Sequence, residues 1–289
     1  MRPPSTDAPL HDIEGDPEAT VAVSPSQMER AEACPLDWIV SRLGGAEGDY
    51  RASIGTLLHR ALETAAQGAT AEELFETVQS QWGSLRFEAE WQSRRALAET
   101  EAMAAALAQY LAAFERSQRA LLANEASFEV EVGYARLRGT ADRIEASNGA
   151  HGGLEITVVD LKTGRRAPTA KELEQHAQLQ AYQLGALRGA FADSEGAPIE
   201  GASVGGAKLL YVHPDSLGKT RQARGERYLE ISQAGLDEAQ QEQLEQRVLD
   251  IARVMAGSRF VAQLEHHCED QHAPSRACAI HIIPAVSHA

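Results

Sequence analysis

The segment Gly139–Gly164, GTADRIEASNGAHGGLEITVVDLKTG, constrains the chain most. Two stretches of strand character, Thr140–Ala146 and Ile156–Lys162, flank Asn148-Gly149 and Gly152-Gly153. Such pairs turn one strand back toward the next. Asp142 lies near the end of the first strand, and the second ends in Asp160-Leu161-Lys162. Side chains two apart in a strand point the same way, so Asp160 and Lys162 share a face. Two acids and a lysine brought together there are parts for metal-assisted cleavage of a phosphodiester. Carboxylates hold divalent ions, and a cation beside them steadies a charged phosphate.

The periodicity elsewhere predicts an α/β protein with a helical N-terminal part. Ser24–Arg42 reads as a capped helix, with Pro25 early and an apolar face of Met28, Ala31 and Leu36. Helices are also expected at Ser53 to about Ala66, Thr70–Trp82, Glu90–Ser117, Ala170–Ala190 and Leu236–Gly257. Phe128–Leu137 alternates as a half-buried strand, Ala207–His213 reads as another, and Arg227–Ile231 as an edge strand. Residues 1–23, rich in Pro, Asp and Glu, read as a flexible leader or a linker. The rest divides into a helical part (24–125), a core (126–257) and a Cys/His tail (258–289). Glu145 and Glu155 read as surface acids.

GTADRIE followed by VVDLKTG resembles motifs II and III of the PD-(D/E)XK nuclease superfamily. More narrowly, the chain resembles the RecB-like nuclease domains attached to UvrD-type and AddB-type helicases. SPSQMERAEACPLDWIVSR (Ser24–Arg42) is similar to the entry segment of that family, GTLLHRALE (Gly55–Glu63) to its Gly-x-x-x-His helix, and QLQAYQLGAL (Gln178–Leu187) to the helix after motif III. The likeness runs in order from about Ser24 to Cys278. It implies a restriction-endonuclease-like core sheet flanked by helices. It implies that Asp142, Asp160 and the Leu161 carbonyl, with His59, hold Mg²⁺ or Mn²⁺. By the same resemblance Lys162 acts on the attacking water or the phosphate, and Gln178 and Tyr182 position Lys162, a ligand water or the DNA backbone. A histidine among the ligands suits Mn²⁺ better than Mg²⁺.

Many RecB-like nucleases carry a [4Fe-4S] cluster on one cysteine before the motifs and three after them. Cys34 fits the first position, and Cys268 and Cys278 fit two of the others. The tail CEDQHAPSRAC departs from the family spacing, with Gln271 where a cysteine is expected and His272 beside it. The resemblance leaves three outcomes open: a cluster completed by His272, a Cys₃His zinc site, or a site that has been lost.

Composition sets limits. The 289 residues carry 27 basic and 42 acidic side chains, a net charge of −15. That argues against a protein gripping DNA by charge alone, because nonspecific affinity comes mainly from cations on phosphates. Arg94-Arg95 and the Arg136/Arg138 pair read as solvated surface, and Arg165-Arg166, just after the Asp-x-Lys strand, as a candidate phosphate contact. Gly218-Lys219-Thr220 mimics the end of a P-loop, but His213 stands where the earlier Gly must be, so no motor is visible. No G-x-S-x-G elbow occurs, and the sparse aromatics make no stacking platform. No membrane span or secretory signal core is visible, so cytoplasm is the default location. The reading is a metal-dependent DNA exonuclease acting on single strands in end processing for recombination and repair, coupled to a helicase. Its rival is a non-catalytic DNA-binding or scaffold module whose iron–sulfur or zinc site is purely structural.

Overall fold

The computed structural model of the chain describes residues 8–43, 50–66, 68–149 and 153–262. Strand β1 (Val21–Val23) opens the order, inside the segment read as a leader. Two helices follow, α1 (Pro25–Ala33) and α2 (Pro35–Arg42), where the sequence suggested one. Proline is the reason. Pro35 has no N–H to donate and forces Cys34 into an extended conformation (φ −162°, ψ 104°).

Helices α3 (Tyr50–Glu63), α4 (Ala71–Gln79) and α5 (Glu90–Glu115) come next. Thr70 and Glu73 close a capping box on α4. Strands β2 (Ala120–Val132) and β3 (Ala135–Asn148) replace the strand expected at Phe128–Leu137. Gly133, at φ +54°, makes the turn between them. Asp142 therefore lies inside a long strand rather than near its end. After β4 (Leu154–Lys162), the expected helix Ala170–Ala190 is two, α6 (Ala170–Glu174) and α7 (Ala177–Leu187), with His176 extended between them. Strand β5 (Ser203–Tyr211), the short α8 (Lys219–Ala223), β6 (Leu229–Ala234) and α9 (Glu238–Ala256) complete the order.

The six strands form a mixed sheet flanked by helices, in the order β1-β3-β4-β5-β6, with β2 on β3. β4 is antiparallel to β3 and parallel to β5, and β5 is antiparallel to β6. The chain divides into two compact units. The smaller comprises Met1–Glu47, Glu129–Arg138 and Glu238–Ala289, where α1 and α9 pack and β1 lies parallel to the first residues of β3.

The larger unit, Gly48–Phe128 with Gly139–Asp237, holds the Gly-x-x-x-His helix, motifs II and III and the helix after them, whereas the Ser24–Arg42 segment belongs to the smaller. Its strand β4 is buried on both faces, which its near-continuous apolar run anticipates. Val159 and Leu161 join the core formed with α3, α4 and α5. The alternate residues Asp160 and Lys162 meet α7 instead. α7 itself packs close, since a Cβ on Gly185 would stand 2.7 Å from the Phe128 ring. No helix among the described residues is long and apolar enough to cross a membrane.

Candidate metal and phosphodiester site

The site begins where a ladder stops. The β3–β4 pairing ends at Arg143↔Val159. One step on, the Leu161 N–H donates to Asp142 Oδ2 at 2.6 Å. A carboxylate thus takes the place of a backbone acceptor, which a buried N–H requires.

Helix α3 reaches this point through Gly55, where a Cβ would lie 3.2 Å from Thr163 Oγ1, just after β4. Four residues on, the same helix face presents His59. Its Nδ1 lies 3.0 Å from Asp142 Oδ1. This gives the Gly-x-x-x-His spacing a physical meaning: close approach, then one turn to the ligand atom.

Four side chains, Asp160 among them, close a ring. Lys162 Nζ donates to Gln178 Oε1 at 2.6 Å, Gln178 Nε2 to the Tyr182 hydroxyl at 2.8 Å, and Tyr182 to Asp160 Oδ1 at 3.2 Å. Lys162 Nζ lies 2.8 Å from Asp160 Oδ2, which closes it. Gln178 and Tyr182 can serve one ring because residues four apart share a helix face. Burial, then the charge of Asp160, holds the Tyr182 hydroxyl well above its ordinary value, so it remains a donor.

Glu125 is the residue that sequence reading missed. Its carboxylate, the His59 imidazole and an Asp142 oxygen all lie within 4.8 Å of one another. Glu125 sits in β2 at φ 46°, in the left-handed region where a non-glycine residue is strained. The burial pattern of β2 slips by one residue there: Ala123 is buried, and then Ala126, Phe128 and Val130. That slip is the only signal the sequence offers, and it is hard to see in ANEASF.

The donor set fits a hard divalent cation: carboxylate oxygens with one imidazole. The electrostatics agree. Burial, then Asp142, raises the Glu125 carboxyl above its ordinary value. Burial raises Asp160, which Lys162 opposes and Asp142 reinforces. Burial works to lower His59, but the hydrogen bond and charge of Asp142, with Asp160 and Glu125 behind it, outweigh burial and raise it. A cluster that holds on to protons in this way is one that a cation can discharge, releasing them.

The remaining sequence candidates fall as follows. Arg165 is gripped by Glu99 at 2.8 and 2.9 Å and by Asp215 at 3.0 Å. Cys34 is fully buried at the break between α1 and α2 and forms no disulfide among the described residues. Cys268, His272 and Cys278 lie outside the described residues. Glu145 is not a surface acid: it is 1 % exposed and ion-paired with Arg119, Arg143 and Lys208.

The sheet thus gathers carboxylates, an imidazole and a lysine where the β3–β4 ladder ends. The family model of the PD-(D/E)XK nuclease superfamily matches residues 22–281, and the chain belongs to that superfamily. A chain solved as "Crystal structure of SSO0001" is similar at 14% identity and a TM-score of 0.34, over 82% of this chain and 79% of that one. No curated protein sequence matches.

Proposed function

We propose that the chain is a metal-dependent DNA nuclease of the RecB-like kind, an exonuclease on single strands that works beside a helicase motor in DNA end processing. The observation that carries the nuclease reading is the Lys162–Gln178–Tyr182–Asp160 ring, built against Asp142 and His59. Asp142, Asp160, His59 and the Leu161 carbonyl would hold Mg²⁺ or Mn²⁺, and Glu125 adds a further oxygen donor to that set. The bound cation would polarise the scissile phosphate and lower the pKa of an attacking water. Lys162, fixed by two acceptors on one side, steadies the charge that develops on the phosphate and orients the water. Gln178 and Tyr182 keep its ammonium and the Asp160 carboxylate in register.

The helicase coupling rests on the RecB-like resemblance, on a net charge of −15 that opposes unaided capture of DNA, and on the missing P-loop. The same resemblance supports a [4Fe-4S] cluster on Cys34, Cys268 and Cys278 with His272, or zinc there. Iron and zinc content of the purified chain separates the two.

End-labelled single- and double-stranded DNA test the reading. Cleavage is expected with Mg²⁺ or Mn²⁺, to shorten single strands from an end, and to stop in excess EDTA. Full cleavage in EDTA would defeat the metal assignment. No cleavage of either substrate with either ion would favour the binding-module rival.

The donor set has its own test, independent of turnover. Isothermal titration with Mn²⁺ should show weaker binding for His59→Ala and for Glu125→Gln. Each should lose at least the roughly tenfold that removal of even an outer-shell partner costs. Unchanged Mn²⁺ affinity in Glu125→Gln would reduce that residue to a neighbour of the site.

A further inference from the structure

The smaller unit contains a cavity of about 120 Å³, room for roughly four waters. Its lining includes Arg42, Arg136, Arg138, His11 and Trp38, and no acid. In a chain with a surplus of 15 acids, three guanidiniums around one cavity are a local reversal of sign. The fold explains how they meet. Arg136 and Arg138 are two apart on β3 and share a face, opposite the buried Ala135 and Leu137. Trp38 and Arg42 are four apart on α2, with the Arg42 guanidinium 5.6 Å from the Trp38 ring centroid.

Donors are left over at this place. Trp38 is 2 % exposed, and its Nε1 is buried with no hydrogen-bond partner. The Arg136 Nε is buried without one as well, its contact with Glu129 being an ion pair at 3.4 Å. Arg42 and Arg138 form no ion pair among the described residues. A buried indole N–H without an acceptor is costly, and a site so rich in donors is completed by an anion.

We infer that this cavity seats one phosphate of a single DNA strand. The guanidiniums hold its oxygens by charge-assisted hydrogen bonds, and Trp38 Nε1 donates one more. The identity of the ligand as a strand rests on the nuclease reading; the anion chemistry does not.

The test is fluorescence anisotropy of a labelled oligothymidylate titrated with the full chain in EDTA, over a series of salt concentrations. Arg42→Ala with Arg138→Ala should weaken binding. It should also reduce the steepness of the salt dependence by about 0.7, the value for one phosphate of a single strand. Trp38→Phe keeps the ring and removes the donor. It should cost about tenfold in affinity, as a hydrogen bond to a charged acceptor does, and leave the salt slope unchanged. Arg253→Ala, outside the cavity, should behave as wild type. A double arginine variant with wild-type affinity and slope would overturn the proposal. So would isothermal titration in which inorganic phosphate binds the wild type more tightly than the strand does. Cleavage plays no part in these measurements. An inactive protein with arginine-dependent binding would sink the nuclease reading alone, and an active one without it would sink the cavity alone.

Discussion

Asp160→Asn should abolish cleavage of DNA and leave the protein at least as stable as before. The rate is expected to fall by about 10³-fold or more, some 4 kcal/mol of transition-state stabilisation. Asn loses the charge that would hold a cation and the ion pair that fixes Lys162 at 2.8 Å. The stability half follows from sign. Burial leaves the Asp160 carboxyl raised above its ordinary value. An acid raised on folding is worse off ionised in the fold than in the open chain, so at neutral pH it subtracts stability. Asn is neutral, and its one oxygen can accept from Lys162 while its amide donates to the Tyr182 hydroxyl. Lys162→Ala should cost activity on a similar scale, but with a different stability outcome, because it leaves Asp160 buried without its cation. Thermal melts beside a gel assay check both. An Asp160→Asn protein that cleaves at the wild-type rate would remove the carboxylate from the chemistry. One that is inactive and melts much lower would show only that the fold was lost.

This pairing of opposite effects says something about what a sequence displays. Asp160 and Lys162 were legible because strand alternation is local: two residues apart means one face, whatever else the chain does. The same logic placed Gln178 with Tyr182 and Gly55 with His59, each four apart on a helix. Features that depend on a change of phase were not legible. Glu125 reaches the His59 and Asp142 pair only because β2 turns through a left-handed dihedral there, and alternation read back from Phe128 fails at that residue. The α1–α2 break is present in the sequence as Cys34-Pro35, but an apolar face of Met28, Ala31 and Leu36 runs across it. A core sheet was foreseeable from its strands, whereas the β1–β3 pairing joins residues more than a hundred positions apart, with only three residues of strand to announce it.

Glu145 shows the other limit, and it carries the second large effect. In DRIEA the apolar Ile144 and Ala146 mark one inner face, and Arg143 and Glu145 an outer one. Polar alternation normally means solvent. Here that face of β3 meets α5. Glu145 accepts from the Tyr110 hydroxyl, from Arg143 Nε at 2.9 Å, from Arg119 at 2.8 Å and from Lys208 at 3.0 Å. Glu230 shares Lys208 at 2.6 Å. Burial works to raise the Glu145 carboxyl, but Lys208, Tyr110, Arg119 and Arg143 outweigh it and hold it below its ordinary value.

Glu145→Gln therefore strips one of the two acids from three cations, two of which, Arg143 and Lys208, are themselves buried. Leaving buried charges without their partner costs about 3–5 kcal/mol. In a chain of this size that lowers the melting temperature by roughly 10 °C. The pH dependence has a definite sign. An acid depressed by folding contributes stability that is present above its unfolded value, near 4.3, and is lost as pH falls through the folded one. The gap between wild type and Glu145→Gln should therefore be widest near neutrality and narrow in acid. Melts of both proteins from pH 7 down to pH 3 measure it. A gap that stays constant as pH falls would mean that the network holds by packing of Tyr110 and the arginines, and that the charge on Glu145 contributes little.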